Sequence, residues 1–168
     1  MGPAIGKWLS ALTTWLEHTS LSHALQVTSW VVPTTQTIHI LAIAAVASSA
    51  LMVDLRLLGA FAADQPARNV SARFLPFVWW PLIVLLASGA LLIIAEPGRS
   101  LRNPAFQLKM LLLAAAIAVT LVLQRRLRRD ASFGDRGAPR LAATAIAVVS
   151  MLLWCAIIFA GRWIAYYR

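Results

Sequence analysis

Apolar residues come in four long runs, at 31–53, 74–95, 106–123 and 141–161, separated by shorter polar stretches. At about 1.5 Å of helix rise per residue, runs of this length cross roughly 30 Å of hydrocarbon. The first opens on a polar turn (Thr34, Thr35, Gln36, Thr37) followed by His39, and the second holds no charge. The third carries Lys109 near its start, and the fourth has only Thr144 and Ser150 as overtly polar residues. The third run is short for a span, so Lys109 is expected to snorkel to the interface. Pro33, Pro76 and Pro104 stand near span starts, where a missing N–H costs little, whereas Pro81 falls inside the second span and predicts a kink. Trp30, Trp79, Trp80, Trp163, Tyr166 and Tyr167 sit toward span ends, the place of an interfacial aromatic belt. The pattern predicts an all-α fold, an integral membrane four-helix antiparallel bundle over 31–168.

Residues 1–30 read differently. Trp8, Leu12 and Trp15 recur at i, i+4 and i+7, with Lys7 and Glu17 off that stripe. This predicts an N-terminal amphipathic helix lying in the membrane interface, or else packed on the outer rim of the bundle. Ser20 and Ser22 are candidate caps for a second short turn. Lys7 and the scattered polar residues after it do not make a cleavable signal peptide.

Composition agrees with the spans. Of 168 residues, 60% are hydrophobic and 12% charged, too little polar surface to coat a water-soluble globule. One cysteine excludes a disulfide scaffold. The net charge of +9 does not point to nucleic acid, because the cations flank apolar runs and form no basic-aromatic face. Nine cations fall in the loops after the first and third spans: Arg56, Arg68, Arg73, Arg125, Arg126, Arg128, Arg129, Arg136 and Arg140. Six fall on the other side: Lys7, Arg99, Arg102, Lys109, Arg162 and Arg168. The positive-inside rule puts the nine in the cytoplasm and both termini on the periplasmic side. Residues 130–139 are the one segment of clear loop composition.

Small residues four apart (Ala45/Ser49, Ala114/Ala118, Ala143/Ala147) are suited to close helix packing. Ionisable residues inside spans are functional candidates. On the first span, Gln36, His39, Ile43, Val46, Ala50 and Asp54 share a face, with His39 and Asp54 about 22 Å apart. On the third span, Lys109, Ala116, Thr120 and Gln124 share one, with Met110 near the outer mouth. On the fourth, Met151, Cys155 and Arg162 do. These spacings allow an outer-half pocket lined by His39, Lys109, Arg162, Cys155 and Met110 or Met151. Imidazole, thiolate and thioether suit copper(I). His39 could instead be an axial haem ligand, although His18 and His23 lie outside the spans and give it no intramembrane partner. In the third reading, which the pattern favours, His39 hydrogen-bonds a neighbouring helix while Cys155 packs as a small hydrophobe. Lys109 and Arg162 either snorkel or bind an anion or headgroup. Asp54 and Arg56 close the first span, either as an ion pair of Asp54 with Arg56 or Arg73, or as a partner or lipid dock at the inner surface. No phosphate loop, paired carboxylates, HExxH or GxSxG appears, so no enzymatic activity is expected.

The stretch from Trp30 to Gly59, with Ile38-His39 and then Asp54-Leu55-Arg56-Leu57-Leu58-Gly59, resembles an uncharacterised family of small bacterial four-helix inner-membrane proteins. Asn103-Pro104-Ala105-Phe106 with Lys109-Met110-Leu111-Leu112, and Gly161-Arg162-Trp163-Ile164-Ala165-Tyr166, look like its later signatures. The resemblance implies a four-span protein of the bacterial cytoplasmic membrane and no particular activity. A looser likeness extends to copper-resistance and cytochrome b561-type bundles, from which the chain departs in lacking paired histidines. The functional expectation is a non-catalytic accessory or assembly subunit of a larger membrane complex, in contact with lipid and with other subunits or a second copy of itself, and not with nucleic acid. The alternative is a haem- or copper-binding protein centred on His39. A small-solute transporter ranks last, because four short helices leave little room for a pathway.

Overall fold

The computed structural model describes residues 3–101, 103–130, 132–135 and 138–163. Tyr166 and Tyr167 of the aromatic belt lie outside them. Eight helices are present among the described residues: α1 (Pro3–Glu17), α2 (Ser20–Val27), α3 (Val31–Leu58), α4 (Ala67–Phe74), α5 (Pro76–Ala95), α6 (Pro97–Leu101), α7 (Pro104–Arg129) and α8 (Ala138–Trp163). Long α3 stops at Gly59, which adopts φ +79 while its N–H and that of Ala60 bond back to the last turn. Asn103 starts α7: its side chain accepts the Ala105 N–H at 2.9 Å, and Pro104 takes the first helical position. Thr19, not Ser20 or Ser22, caps α2 by accepting the Ser22 N–H. α5 runs through Pro81 without ending.

Four helices are long and apolar enough to cross a membrane, α4 and α5 counting as one continuous span. All four outlast their expected limits, α3 and α7 by five residues or more at their C-terminal ends. α3 continues five residues past 53, so Asp54 and Arg56 are helical. α7 runs on to Arg129, about 39 Å in all. Gln124 and the arginines after it are strong helix formers, and cations suit a helix C-terminus. The third span therefore has length to spare and needs no snorkelling lysine.

α3 packs on α5 and α8, and α8 packs on α7. One core, toward the His39 end, gathers Val46, Val78, Leu82, Leu85, Leu113, Trp154 and Ile157. A second, at the opposite end, gathers Val53, Leu57, Ala67, Leu123, Leu127, Phe133, Ala143 and Ala147. Outward faces are as apolar as the core: Ile40, Leu111, Leu152 and Phe159 are each more than 60% exposed. Only a bilayer solvates such a surface, so the chain is a multi-pass membrane protein in lipid contact. The small-residue expectation holds for Ala143/Ala147, which are fully buried. Ala45, Ala114 and Ala118 instead face outward, and close packing of α3 uses Ala42 and Ala50.

α1 and α2 cover the His39 end. Thr13 of α1 is fully buried, α1 lies on α6 and on α5, and Gln26 donates to the Ala95 carbonyl at 2.8 Å. Trp8 and Trp15 point away, both about two-thirds exposed. The helix is thus seated on the rim while its aromatic stripe stays outward, as an interfacial helix requires. Of the aromatic belt, Trp30, Trp80 and Trp163 are exposed, whereas Trp79 packs partly into the core.

Candidate functional site

At the His39 end the four spans line a cavity of about 420 Å³. α3 supplies Val32, Gln36 and His39, and α5 supplies Leu85 to Ile93 at helical spacing and Glu96 at its end. α7 supplies Phe106, Lys109, Met110 and Leu113; α8 supplies Ile157 and Gly161. The walls are mainly hydrocarbon, and a few polar groups converge on one side.

Those groups form a directed chain. The Ser88 hydroxyl donates to the Val84 carbonyl at 2.7 Å. Its oxygen is then an acceptor for His39 Nδ1, 2.9 Å away. Donor accounting therefore places the imidazole proton on Nδ1 and leaves Nε2 to accept from Lys109 Nζ at 3.4 Å. Two glycines make the space. A Cβ on Gly89 would sit 3.3 Å from His39 Cε1, and one on Gly161 would sit 3.6 Å from Lys109 Nζ. Both polar side chains thus lie against bare backbone of the neighbouring helix. Among the described residues no carboxylate pairs with Lys109. Its charge faces an apolar cavity with an imidazole as its polar neighbour.

His39, Lys109 and Met110 come together as expected; Cys155, Met151 and Arg162 do not. Cys155 is exposed on the outer face of α8, Arg162 is exposed, and neither they nor Met151 line the cavity. The inward face of α8 is Ala143, Ala147, Ser150, Trp154 and Ile157, and the Cys155 stripe lies one residue, about 100°, off it. A copper site of His39 with Cys155 is therefore not assembled, and among the described residues no three His, Cys, Asp or Glu side chains converge. The arrangement does not fit haem ligation by His39 either: Ser88 and Lys109 engage both ring nitrogens. Ser88, Gly89 and Gly161 were not anticipated. Ser88-Gly89 is nonetheless visible as the one small polar break in the charge-free second run.

Asp54 and Arg56 do not pair with each other, and both are buried. Arg56 is buried and bonds Asp135 Oδ1 at 2.7 Å, while its Nε donates to the Gln65 carbonyl at 2.6 Å. The same Asp135 oxygen accepts the Ala67 N–H at 3.0 Å. Leu57 fills the space beside Gly134. This turn of α3 thus ties the α3–α4 and α7–α8 connections together. Asp54 is buried on another face, with the Ser150 hydroxyl as neighbour and Oδ2 unpartnered among the described residues. Arg73, the other expected partner of Asp54, is exposed and lies over the Phe74 ring at 5.8 Å.

Fold and site together define a polytopic four-span bundle with a polar-floored cavity near one membrane face. The chain belongs to a family of unknown function (DUF6644), whose model matches residues 13–167. No curated protein and no solved structure matches it. The family match carries no copper or cytochrome assignment.

Proposed function

We propose that this protein is a non-catalytic binding protein of the bacterial cytoplasmic membrane, whose cavity holds a small organic molecule with an acidic group. One observation supports this above others: the Lys109 ammonium faces a mainly apolar cavity and makes no ion pair among the described residues, the Glu96 carboxylate that also lines the cavity not being paired with it. A charge so placed is costly in a membrane unless an anion meets it. Apolar walls with a few convergent polar groups are the usual make-up of a small-molecule site, and about 420 Å³ lies within the usual size range. The His39–Ser88 chain ends at a backbone carbonyl. It orients the imidazole toward Lys109 and supplies no acid to drive a proton through it, which favours binding over conversion. A bundle that holds a ligand in this way would serve a larger membrane complex as an accessory subunit. A haem or copper role has no comparable support, since the donors do not meet.

The orientation belongs to this proposal: nine loop cations against six support a cavity in the outer half of the bilayer. Native mass spectrometry of protein extracted from its own membrane in mild detergent tests the binding. The expected spectrum shows an organic-acid adduct on the wild type that is lost from Lys109→Gln. An adduct-free wild type that no organic acid stabilises against heating would overturn the reading.

A further inference from the structure

The cavity lacks a wall. α5 and α7 are consecutive spans, yet among the described residues no Cα of one lies within 8 Å of a Cα of the other. Short α6 bridges them only at the end. The slot between them is edged by Leu86 and Ala90 on α5 and by Met110 on α7. All three line the cavity and are also exposed at the bundle surface, Leu86 by 46% and Met110 by 40%. That surface faces hydrocarbon, because Ile83 and Leu111 beside the slot are more than half exposed. The water side is built otherwise: α6, α1 and α2 lie over it, and a second, more polar cavity there meets the first at Val32 and Glu96.

We infer that the occupant is a single-chain amphipathic acid taken sideways from the surrounding leaflet, its acidic head at Lys109 and its chain lying out between Leu86 and Met110. This rests on the binding function proposed above and adds the ligand's class and route. Charge complementarity favours the acid, since among the described residues the Lys109 ammonium makes no ion pair, Glu96 in the same lining included. Apolar edges on the slot favour a hydrocarbon tail over a solvated ion, because a polar molecule passing there would lose its water with nothing to replace it. The small volume favours one chain over two.

The test uses purified protein in phosphatidylcholine vesicles and two photoactivatable probes. One is a palmitic-acid analogue carrying a diazirine, delivered in the membrane; the other is a hexanoic-acid analogue, delivered in water. The expected result is labelling of the 85–93 and 106–113 segments by the long-chain probe. Unlabelled palmitate should compete and its methyl ester should not. Labelling should fall about tenfold or more in Lys109→Gln, the loss expected of one charge-assisted hydrogen bond. Ala90→Trp or Met110→Trp should slow it by filling the slot. If the short acid labels as well as the long one, lateral capture of a lipid acid falls while binding of an acid in the cavity survives; if the ester competes equally, the acidic ligand falls in both readings. If neither probe labels the wild type, both readings fall. The acid-versus-ester comparison is made on the wild type, so it decides even should both tryptophan variants misfold.

Discussion

Gly134 sits at φ +89, and a Cβ there would lie 2.8 Å from Leu57 Cδ2. Gly59 has a similar φ of +79, but its nearest neighbour is the mobile end of Arg140 at 3.5 Å. Both positions strain any L side chain, and Gly134 adds a collision with a buried leucine. Gly134→Ala should therefore destabilise the protein by about 2–3 kcal/mol and Gly59→Ala by about 1 kcal/mol, read from thermal unfolding in detergent. Leu57→Ala should remove the additional part of the Gly134→Ala cost in the double variant, which a purely conformational penalty would not allow. His39 carries a second prediction at this scale. Its ring should appear in nitrogen NMR as the Nδ1–H form, protonated toward Ser88 and bare toward Lys109. Ser88→Ala removes that acceptor, so the tautomer should shift and stability fall by about 1 kcal/mol. An unchanged spectrum would break the proposed hydrogen-bond direction. His39 and Lys109 were legible in the sequence because an ionisable group in an apolar run stands out. Ser88 and the two glycines were not, since a small residue reveals its role only when its opposite neighbour is known.

Helices were legible where hydropathy alone decides them, and their faces were legible where several inward residues repeat. The His39, Val46, Ala50, Asp54 face of α3 points inward as the 100° step predicts. α8 shows the limit: nearly every residue is apolar, so the sequence does not say which stripe is buried, and the chemically conspicuous Cys155 stripe faces out. Span ends failed for a related reason, since hydropathy stops at the last apolar residue and a helix stops where a cap forms. The Asp54-to-Gly59 run is the clearest case. The sequence left it as an ion pair of Asp54 with Arg56 or Arg73 or as a dock at the inner surface, but Arg56 reaches 79 residues along the chain to Asp135, a distance no local pattern shows. Asp135→Asn should leave the guanidinium buried without its anion and cost about 3 kcal/mol. The paired change Arg56→Met with Asp135→Leu should recover much of that, and hydrogen exchange at the Ala67 amide should accelerate in the single variant. Beyond α7, Asp130 Oδ1 accepts from Ser132 Oγ at 2.7 Å and from Ser132 N at 2.9 Å. The Ser132 hydroxyl, then its amide, hold this carboxyl below the ordinary Asp range. A carboxyl lowered in the folded state stabilises the turn above its unfolded titration range, and that contribution disappears as pH falls through the lowered value. Ser132→Ala should accordingly move the Asp130 carboxyl titration upward in NMR.

At the scale of the whole molecule, the two ends of the bundle do different work. At the Arg56 end the connections are tied down, with α4 folded under α3 and the Asp135 turn locked to both. At the His39 end the bundle opens between α5 and α7, and the parts lying over it are the helices α1, α2 and α6, with Gln26 of α2 bonded to the Ala95 carbonyl. A structure rigid at one end and parted at the other suits capture of a molecule on the open side, which gives the orientation a functional meaning. If the open end faces outward, the captured molecule comes from the outer leaflet; reversed, the same cavity would sample the inner one. The cation count favours the outward orientation proposed above, which is open to a direct check because Cys155 is the only cysteine. In a Cys155→Ser background, Ser10→Cys on exposed α1 should react with a membrane-impermeant thiol reagent in right-side-out vesicles. Ala63→Cys, exposed between α3 and α4, should react only after the membrane is broken. The opposite pattern would invert the protein and move its binding site to the cytoplasmic leaflet, leaving the cavity chemistry intact and changing which lipids can reach Lys109.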